Sequence, residues 1–156
     1  MNALPQIDAI SALALAVFRL NGALLHWGDQ RVATLGLSSA RWQMLGALAL
    51  ADSPLSAPQV GAAMGVSRQG ALKQLGVLQG LGLVQVDPNP AHRRSPLYCL
   101  TPHGRKCYEQ ADALWRDQVA QLARQISATQ ARQATEVLQH IEHVLGSATA
   151  DLEDAT

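Results

Sequence analysis

The sequence predicts a mainly α-helical protein that carries one small β-hairpin. Its 26 alanines and 24 leucines make up about a third of the 156 residues, and both residue types lose little conformational entropy in a helix. Apolar residues recur at three- and four-residue spacing near both ends of the chain, as in amphipathic helices. Two short β-prone runs flank a segment rich in Pro, Asn and Arg, as in a hairpin. A chain of this length is about one domain and can bury a core without disulfides.

A long amphipathic helix is predicted from Ile7 to about Gly28, and a second helix begins near Ser38 or Ser39, either of which can cap it. The longest apolar run of the first helix, residues 9–18, is interrupted by a serine and followed by an arginine. We therefore expect neither a leader peptide nor a membrane span, and a cytoplasmic protein with no membrane partner. The apolar stripe of the first helix comprises Ile10, Leu13, Ala14, Val17, Leu20, Ala23, Leu24 and Trp27.

Two helices separated by a three-residue turn are predicted in the middle of the chain. Ser56 caps the first, which ends at Gly65, and Ser67 caps the second, which runs to Leu81 before Gly82 stops it. This arrangement is typical of a helix-turn-helix. We expect Leu72, Leu75, Leu78 and Leu81 to form a slowly drifting apolar stripe on the second helix, with the first three facing the first helix of the pair.

The opposite flank of this second helix is polar and has little bulk. Gln69, Lys73 and Gly76 share the flank at four- and three-residue spacing, and Arg68 lies in the first turn. In the major groove of DNA, Gln can read adenine bidentately, and Lys or Arg can reach guanine. The pattern therefore indicates a helix that reads DNA bases.

A hairpin with a basic tip is predicted after this helix. Leu83–Val86 and Leu97–Leu100 are the predicted strands, and the tip between them contains Arg93 and Arg94. Arginine at such a tip can enter a minor groove or contact phosphate. The alternative is a solvated loop with no partner.

The net charge is zero, yet the charge is unevenly distributed along the chain. Between Gly65 and Lys106, six basic residues stand against a single acidic residue, Asp87, so this segment has a charge of +5 and the remainder −5. Phosphate binding requires such a concentrated positive field. The charge distribution therefore favours a nucleic-acid partner for the middle of the chain.

These motifs together resemble the MarR family over about residues 37–111. LSSARWQMLGALA resembles the family's second helix, MGVSRQGALKQLGVLQGLGLV its recognition helix and first wing strand, and HRRSPLYCLTPHGRK the wing that returns into a Thr-Pro-x-Gly helix start. The resemblance implies a winged helix-turn-helix fold with long N- and C-terminal dimerisation helices. It also implies a homodimer on a pseudo-palindromic site in double-stranded DNA, often released by a small aromatic or phenolic ligand. We therefore expect a nucleoid-associated transcriptional regulator that acts as a repressor.

By position, the resemblance places DNA contacts on the recognition helix and on the wing. Family wings commonly carry a bracing aspartate just before the wing arginines, and this chain departs from that pattern with His92. The redox-sensing branch keeps its reactive cysteine near the first helix, whereas the first cysteine here is Cys99, so peroxide sensing by that route is not expected. The candidate DNA-binding residues are Ser67, Arg68, Gln69, Gly70, Lys73 and Gln74 on the helix, and His92, Arg93 and Arg94 on the wing.

Long terminal helices with apolar stripes also predict a dimer without reference to the family. Thr101 and Pro102 open one long helix, and a last helix starts near Thr129. A monomer would expose a large apolar patch on these helices, which an isologous interface would cover. The alternative is that the stripes pack within one chain. We expect a dimerisation helix in 1–36, the DNA-binding domain in 37–101, dimerisation helices in 102–146 and a flexible acidic tail in 147–156.

An effector pocket is expected near the junction of the first and second helices. In the fold that the resemblance implies, the ligand crevice lies between the dimer helices and the winged domain. The candidates for holding an aromatic acid are His26, Trp27, Arg41 and Trp42. The alternative is that the tryptophans belong to the core and that Arg41 is a surface residue.

Other classes of function fit the sequence less well. No paired carboxylates or oxyanion-hole turn accompany the histidines and cysteines, so no enzyme is expected. His140 and His143 are a weak metal pair, and no metal or cofactor is expected. Cys99 and Cys107 are interpreted as structural thiols. The main alternative is a winged-helix protein-interaction or dimerisation module that does not bind specific DNA.

Overall fold

The protein is described here by a computed structural model, which covers the backbone of residues 4–154 and the side chains of residues 5–147. Most of the described chain is helical, and a small antiparallel sheet provides the wing, as the sequence predicts. The helices are α1 (Leu4–Val32), α2 (Ser39–Leu50), α3 (Ala57–Met64), α4 (Arg68–Gly80), α5 (Pro102–Leu122) and α6 (Ala128–Asp154), with a short 3-10 turn at Ala33–Leu35. The strands are β1 (Leu55–Ser56), β2 (Val84–Asp87) and β3 (Leu97–Leu100).

The chain divides into two compact units, one ending at Leu114 and one beginning at Trp115. In the first unit, the core lies among α2, α3, α4 and the sheet, and its largest fully buried side chains are Val32, Met44, Leu45, Val60, Leu75 and Leu78. The second unit comprises the C-terminal end of α5 and the whole of α6. The exposed apolar side chains of α6 include Val137, Leu138, Val144 and Leu145.

The start of α2 shows two different uses of neighbouring serines. Ser38 is the cap, because its Oγ accepts a hydrogen bond from the Arg41 amide at 3.4 Å. Ser39 is buried and joins α2 to α1, since its amide donates to Asp29 Oδ1 at 2.6 Å and its Oγ donates to the Leu25 carbonyl at 2.7 Å. These bonds anchor the C-terminal part of α1 on the core.

The leucine stripe predicted for α4 is partly wrong. Ala71, Leu75 and Leu78 are buried, whereas Leu72 is 37% exposed and Leu81 is 48% exposed. A helix turns by about 100° per residue, so residues at a strict three-residue spacing drift by about 60° at each step. Four such leucines cannot share one face, and the buried stripe follows four- and three-residue steps instead.

The sheet has the order β1-β3-β2, with both pairs antiparallel. Val84 pairs with Leu100 and Asp87 with Leu97, so β2 and β3 form the predicted hairpin. The two-residue strand β1 is not predicted by the sequence analysis, and it pairs Leu55 with Tyr98. This pairing ties the loop-proximal half of β3 to the start of α3.

The terminal helices are longer than predicted. α1 begins at Leu4 and continues to Val32, beyond the predicted bounds of 7–28. α6 continues to Asp154 across most of the segment expected to be a tail, because 147–154 contains neither Gly nor Pro to end a helix. The flexibility of 147–156 and the four-segment division of the chain remain predictions.

The first helix also meets the length and hydropathy of a membrane span, which the sequence analysis does not predict. The segment Pro5–Leu35 has 31 residues, and its most apolar 18-residue window has a mean hydropathy of 1.5 and no buried share. Length and composition alone support this assignment. An amphipathic helix that pairs with a second copy of the chain has the same properties in one isolated subunit.

Candidate nucleic-acid interface

The helices α3 and α4 are joined by the tight turn that the sequence predicts. Gly65 adopts a left-handed conformation (φ 64°), and the Val66 amide donates to the Gly61 carbonyl at 2.9 Å. A Cβ atom at residue 61 would lie 2.8 Å from the Val66 carbonyl oxygen, so this approach of the backbone requires glycine. The turn thereby fixes the angle at which α4 leaves α3.

The predicted base-reading residues lie on the exposed side of α4. Arg68, Gln69 and Lys73 are exposed, and Gly70 and Gln74 are half-buried. Ser67 is exposed and caps the helix, with its Oγ accepting a hydrogen bond from the Gly70 amide at 3.0 Å. The polar flank, defined as Gln69, Lys73 and Gly76, is turned away from the buried stripe of α4.

The wing, defined as β2, β3 and the loop 88–96, is braced by a residue that the sequence analysis misses. Asn89 Nδ2 donates to the Ser95 carbonyl at 2.8 Å, and Asn89 Oδ1 accepts from the amides of Ala91 and His92 at 3.1 and 3.3 Å. Asparagine commonly organises turns through such bonds, and the Asn-Pro pair at 89–90 is the signal for it. Asn89 therefore closes the loop on its own backbone.

A cationic cleft lies between the start of α4 and the wing. It has a volume of about 590 Å³ and brings Arg68 together with Arg93 and Arg94. No carboxylate occurs among its lining residues, which are Ser56, Pro58, Arg68, Ala91, His92, Arg93, Arg94 and Ser95. Three guanidinium groups that line one cleft repel one another, so an anion bound among them would lower their electrostatic energy.

The cleft joins some of the predicted DNA-binding residues and not others. The wing residues His92, Arg93 and Arg94 share it with Arg68, whereas Gln69 and Lys73 lie outside its lining on the polar flank of α4. Ser56 and Pro58 at the start of α3 were not predicted as site residues. The Ser56 amide donates to Gln59 Oε1 at 2.8 Å and Pro58 has no amide proton, so neither residue carries a sequence signal for the cleft, and their place in it comes from tertiary packing.

Comparison with known proteins identifies the family. A family model described as "MarR family" matches residues 35–95, which include α2 to α4 and most of the wing. Uncharacterised proteins of Mycobacterium tuberculosis and Mycobacterium bovis are each 39% identical to this chain over 99 residues, covering 64% of this chain and 68% of theirs. The chain belongs to the MarR family.

Solved structures of MarR-family proteins share the fold over nearly the whole chain. A MarR family transcription regulator has a TM-score of 0.74 and 22% identity, with 95% of this chain and 97% of that chain covered. CouR from Rhodococcus jostii RHA1, bound to p-coumaroyl-CoA, has a TM-score of 0.73 and 22% identity, and the match covers 83% of this chain and 90% of CouR. The M. tuberculosis regulator MosR in complex with DNA has a TM-score of 0.70 and 22% identity, and the match covers 85% of this chain and 96% of MosR. These likenesses establish a winged-helix fold for this MarR-family chain.

Two of the four predicted effector residues of this MarR-family protein, Trp27 and Trp42, lie close together. The rings of Trp27 and Trp42 are 6.2 Å apart between centroids and tilted by 44°. The Arg31 guanidinium carbon lies 5.9 Å from the centroid of Trp27, which the sequence analysis does not predict. Arg41 Nη1 donates to the Gly36 carbonyl at 3.1 Å, and Arg41 Nε is buried with no hydrogen-bond partner among the described residues.

His26 stands apart from this aromatic pair in its environment. It is exposed, and its Nε2 lies 3.0 Å from Nε2 of Gln30 on the next turn of α1. The tryptophans are half-buried, which fits both the predicted pocket and the alternative of partial core packing.

Both cysteines are free thiols in protected environments. Burial raises the pKa of Cys99, and the neighbouring Asp87 carboxylate raises it further by its charge and by accepting a hydrogen bond from Sγ at 3.6 Å. Burial also raises the pKa of Cys107. A raised pKa lowers the thiolate fraction at neutral pH, which is the opposite of what a reactive cysteine needs.

Proposed function

We propose that this MarR-family protein is a sequence-specific transcriptional repressor that binds a pseudo-palindromic operator as a homodimer. The observation that carries the proposal is the cationic cleft, in which Arg68 of α4 meets Arg93 and Arg94 of the wing. The polar flank of α4 begins at Gln69, directly after the cleft residue Arg68, and Gly76 leaves part of it without a side chain. A cytoplasmic location at the nucleoid follows from this function.

The two parts of the interface suit the two grooves of DNA. With α4 in the major groove, Gln69 and Lys73 would meet base edges, since the N-terminal part of a recognition helix makes these contacts. The sugar-phosphate backbone would then pass through the cationic cleft, and the wing arginines would reach the minor groove or its phosphates. Gln69 and Lys73 are both exposed, as this arrangement requires.

A homodimer is supported by the exposed apolar surface of α1. Side chains along the predicted stripe are exposed, with Leu20 at 55% and Leu24 at 43%. Apolar surface of this extent in a soluble regulator is best covered by a second copy of the same helix. Two α4 helices about 34 Å apart would then enter successive major grooves on one side of the duplex.

An aromatic acid is the effector class that fits the α1–α2 junction. Trp27 and Trp42 provide flat apolar surface, and the buried Arg41 Nε is a donor suited to a carboxylate. Titration of the protein with substituted benzoates and cinnamates should quench tryptophan emission in the wild type. The quench should be lost in Trp27→Phe together with Trp42→Phe, while Trp115→Phe keeps it. Equal quenching in both variants would refute the site.

Selection of bound fragments tests the proposed function. The protein is incubated with fragments of its host's upstream DNA in the presence of excess nonspecific competitor, and the retained fragments are sequenced. We expect enrichment of a site with two-fold symmetry. Gln69→Ala should broaden the preference at one position of each half-site, because each good side-chain–base pair contributes about 1 to 3 kcal/mol of discrimination.

The outcomes of this selection distinguish the two candidate functions, a DNA-binding repressor and a protein-interaction module. Enrichment of one symmetric motif supports the repressor, and its loss of definition in Gln69→Ala supports the assigned flank of α4. Retention of no fragment above background contradicts the proposal and favours a winged-helix module that contacts another protein.

A further inference from the structure

Leu72 is one of two large apolar side chains exposed on α4. Leu72 is 37% exposed, whereas Leu75 and Leu78 of the same helix are completely buried. Leu72 comes three residues after Gln69 and four residues before Gly76, so it lies beside both on the helix surface. The residue therefore belongs to the edge of the polar flank rather than to the core.

The surface beside Leu72 is open. A Cβ atom built at Gly76, one turn further along, would have no atom within 4 Å. Long helical side chains lean towards the N-terminus of their helix, so Leu72 leans towards the turn that contains Gln69. Its methyl groups are thus placed on the same surface as the amide that would read a base.

We propose that Leu72 contacts the 5-methyl group of a thymine in the major groove and so selects thymine at one position of each half-site. The inference rests on the proposed function, because it applies only if α4 enters the major groove. There, thymine is the one base that presents a methyl group, and apolar side chains recognise it. Gln69 and Lys73 recognise polar base edges, and Leu72 adds recognition of an apolar one.

The charge pattern identifies the occupant of this apolar surface. Leu72 is adjacent to Lys73 and lies in the segment 65–106, whose net charge is +5. An apolar patch within a positive field matches a ligand that is anionic overall and has a local apolar group. A thymine-containing duplex has both properties.

Replacement of thymine by deoxyuridine tests the contact directly, because it removes only the methyl group. Each thymine of the selected operator is replaced in turn, symmetrically in both half-sites, and the affinity is measured by fluorescence anisotropy. We expect one position at which the wild type binds about fourfold more weakly for each half-site, the effect of one buried methyl group. An operator in which no thymine responds to replacement would overturn the inference even though the protein binds DNA.

Variants then assign the effect to Leu72. Leu72→Ala should bind the thymine and deoxyuridine operators with affinities within about twofold of each other, and Leu72→Met should keep most of the discrimination. Leu81→Ala is the matched control, because Leu81 is also exposed but lies about 13 Å further along the axis. It should retain the wild-type response.

Failure of this inference and failure of the proposed function are distinguishable. If Leu72→Ala discriminates as well as the wild type, the inference is wrong and the proposed function is untouched. If Leu81→Ala loses the discrimination as well, the effect does not belong to the Leu72 contact and the inference is again wrong. If the wild type selects no DNA sequence, the proposed function fails and this inference fails with it.

Discussion

Gly104 lies in the first turn of α5, against the backbone at the end of the predicted helix-turn-helix. A Cβ atom at this position would collide with the carbonyl group of Leu83. Thr101 holds the same junction, since its Oγ1 donates to the Gly82 carbonyl at 2.7 Å and accepts from the Gly104 amide at 3.0 Å. The junction positions the hairpin relative to α5.

Gly104→Ala should therefore destabilise the protein by about 1 to 3 kcal/mol, the usual cost of overpacking against atoms that cannot move aside. Gly76→Ala is the matched control, because it also adds a methyl group to a helix but meets open space. It should stabilise the fold by about 1 kcal/mol through helix propensity. Thermal unfolding followed by circular dichroism measures both, and an equal melting temperature for the two variants would contradict the assignment.

Cys99 provides a second test at the scale of one residue. In a Cys107→Ala background, the rate of alkylation by iodoacetamide should rise with pH about a midpoint above that of an ordinary thiol, because burial and Asp87 raise the pKa of Cys99. Asp87→Asn removes the negative charge, so it should shift the midpoint to lower pH and speed alkylation at neutral pH. A midpoint that Asp87→Asn leaves unchanged or raises would refute the role of Asp87.

At the scale of elements, the wing depends on Asn89. Asn89→Ala removes three hydrogen bonds that close the loop, so the loop should gain conformational freedom and pay more entropy on binding. We expect DNA affinity to fall about three- to tenfold while the melting temperature changes by only about a few degrees. Hydrogen exchange of the Ala91 amide should become faster, and that of the His92 amide less so, because His92 keeps the Asn89 carbonyl as an acceptor at 3.2 Å.

Asn89→Asp is the control for this prediction. The carboxylate keeps the acceptor for the amides of Ala91 and His92 but loses the donor to Ser95. Its exchange rates should therefore lie between those of the wild type and the alanine variant. Full protection of both amides in Asn89→Ala would show that the loop is closed by other contacts.

The sequence predicts elements well where one residue type has a strong local effect. Ser67 caps α4, Gly65 and Gly82 adopt positive φ angles, and the Thr101-Pro102 pair opens α5, all as local rules require. The prediction that Leu72 faces α3 was wrong, because one three-residue step turns it about 60° away from the buried Leu75. Asn89 was missed because its bonds depend on the path of the loop, which no periodicity reports.

In the candidate site too, the features set by local sequence are predictable and those set by tertiary packing are not. The sequence predicts that α4 and the wing carry the basic residues, since both are contiguous segments. It does not predict that Arg68 and the wing arginines line one cleft with Ser56 and Pro58, because that requires the packing of α3, α4 and the sheet. The arrangement of two copies of the chain is likewise beyond a single sequence.

At the scale of the whole molecule, the exposed stripe of α1 predicts a dimer that a buried charge should disrupt. Leu20→Asp places a carboxylate in the middle of the stripe, and burial of an unpaired charge is costly. Sedimentation equilibrium should give twice the chain mass of 16.6 kDa for the wild type and a single mass for the variant at the same concentration. Operator affinity should fall at least about tenfold, because half-sites are then bound independently.

Asn21→Asp adds the same charge at the neighbouring position, off the stripe, and should remain dimeric. A monomeric wild type would contradict the dimer. Recovery of the wild type only from the membrane fraction would instead support a membrane span for Pro5–Leu35, whose length and hydropathy permit one.

The central claim is that the cationic cleft and the polar flank of α4 contact DNA. Measuring how operator affinity depends on salt concentration tests this claim most directly. The dissociation constant of the selected duplex is measured by anisotropy from low to high salt for the wild type, Lys73→Ala and Arg94→Ala. The account predicts a steep linear rise of log Kd with log salt. Arg94→Ala should reduce the slope by about 0.9, because this side chain would contact phosphate, and Lys73→Ala should lower the affinity, because this side chain would meet base edges. Affinity that is independent of salt, or variants with the affinity and slope of the wild type, would contradict the claim.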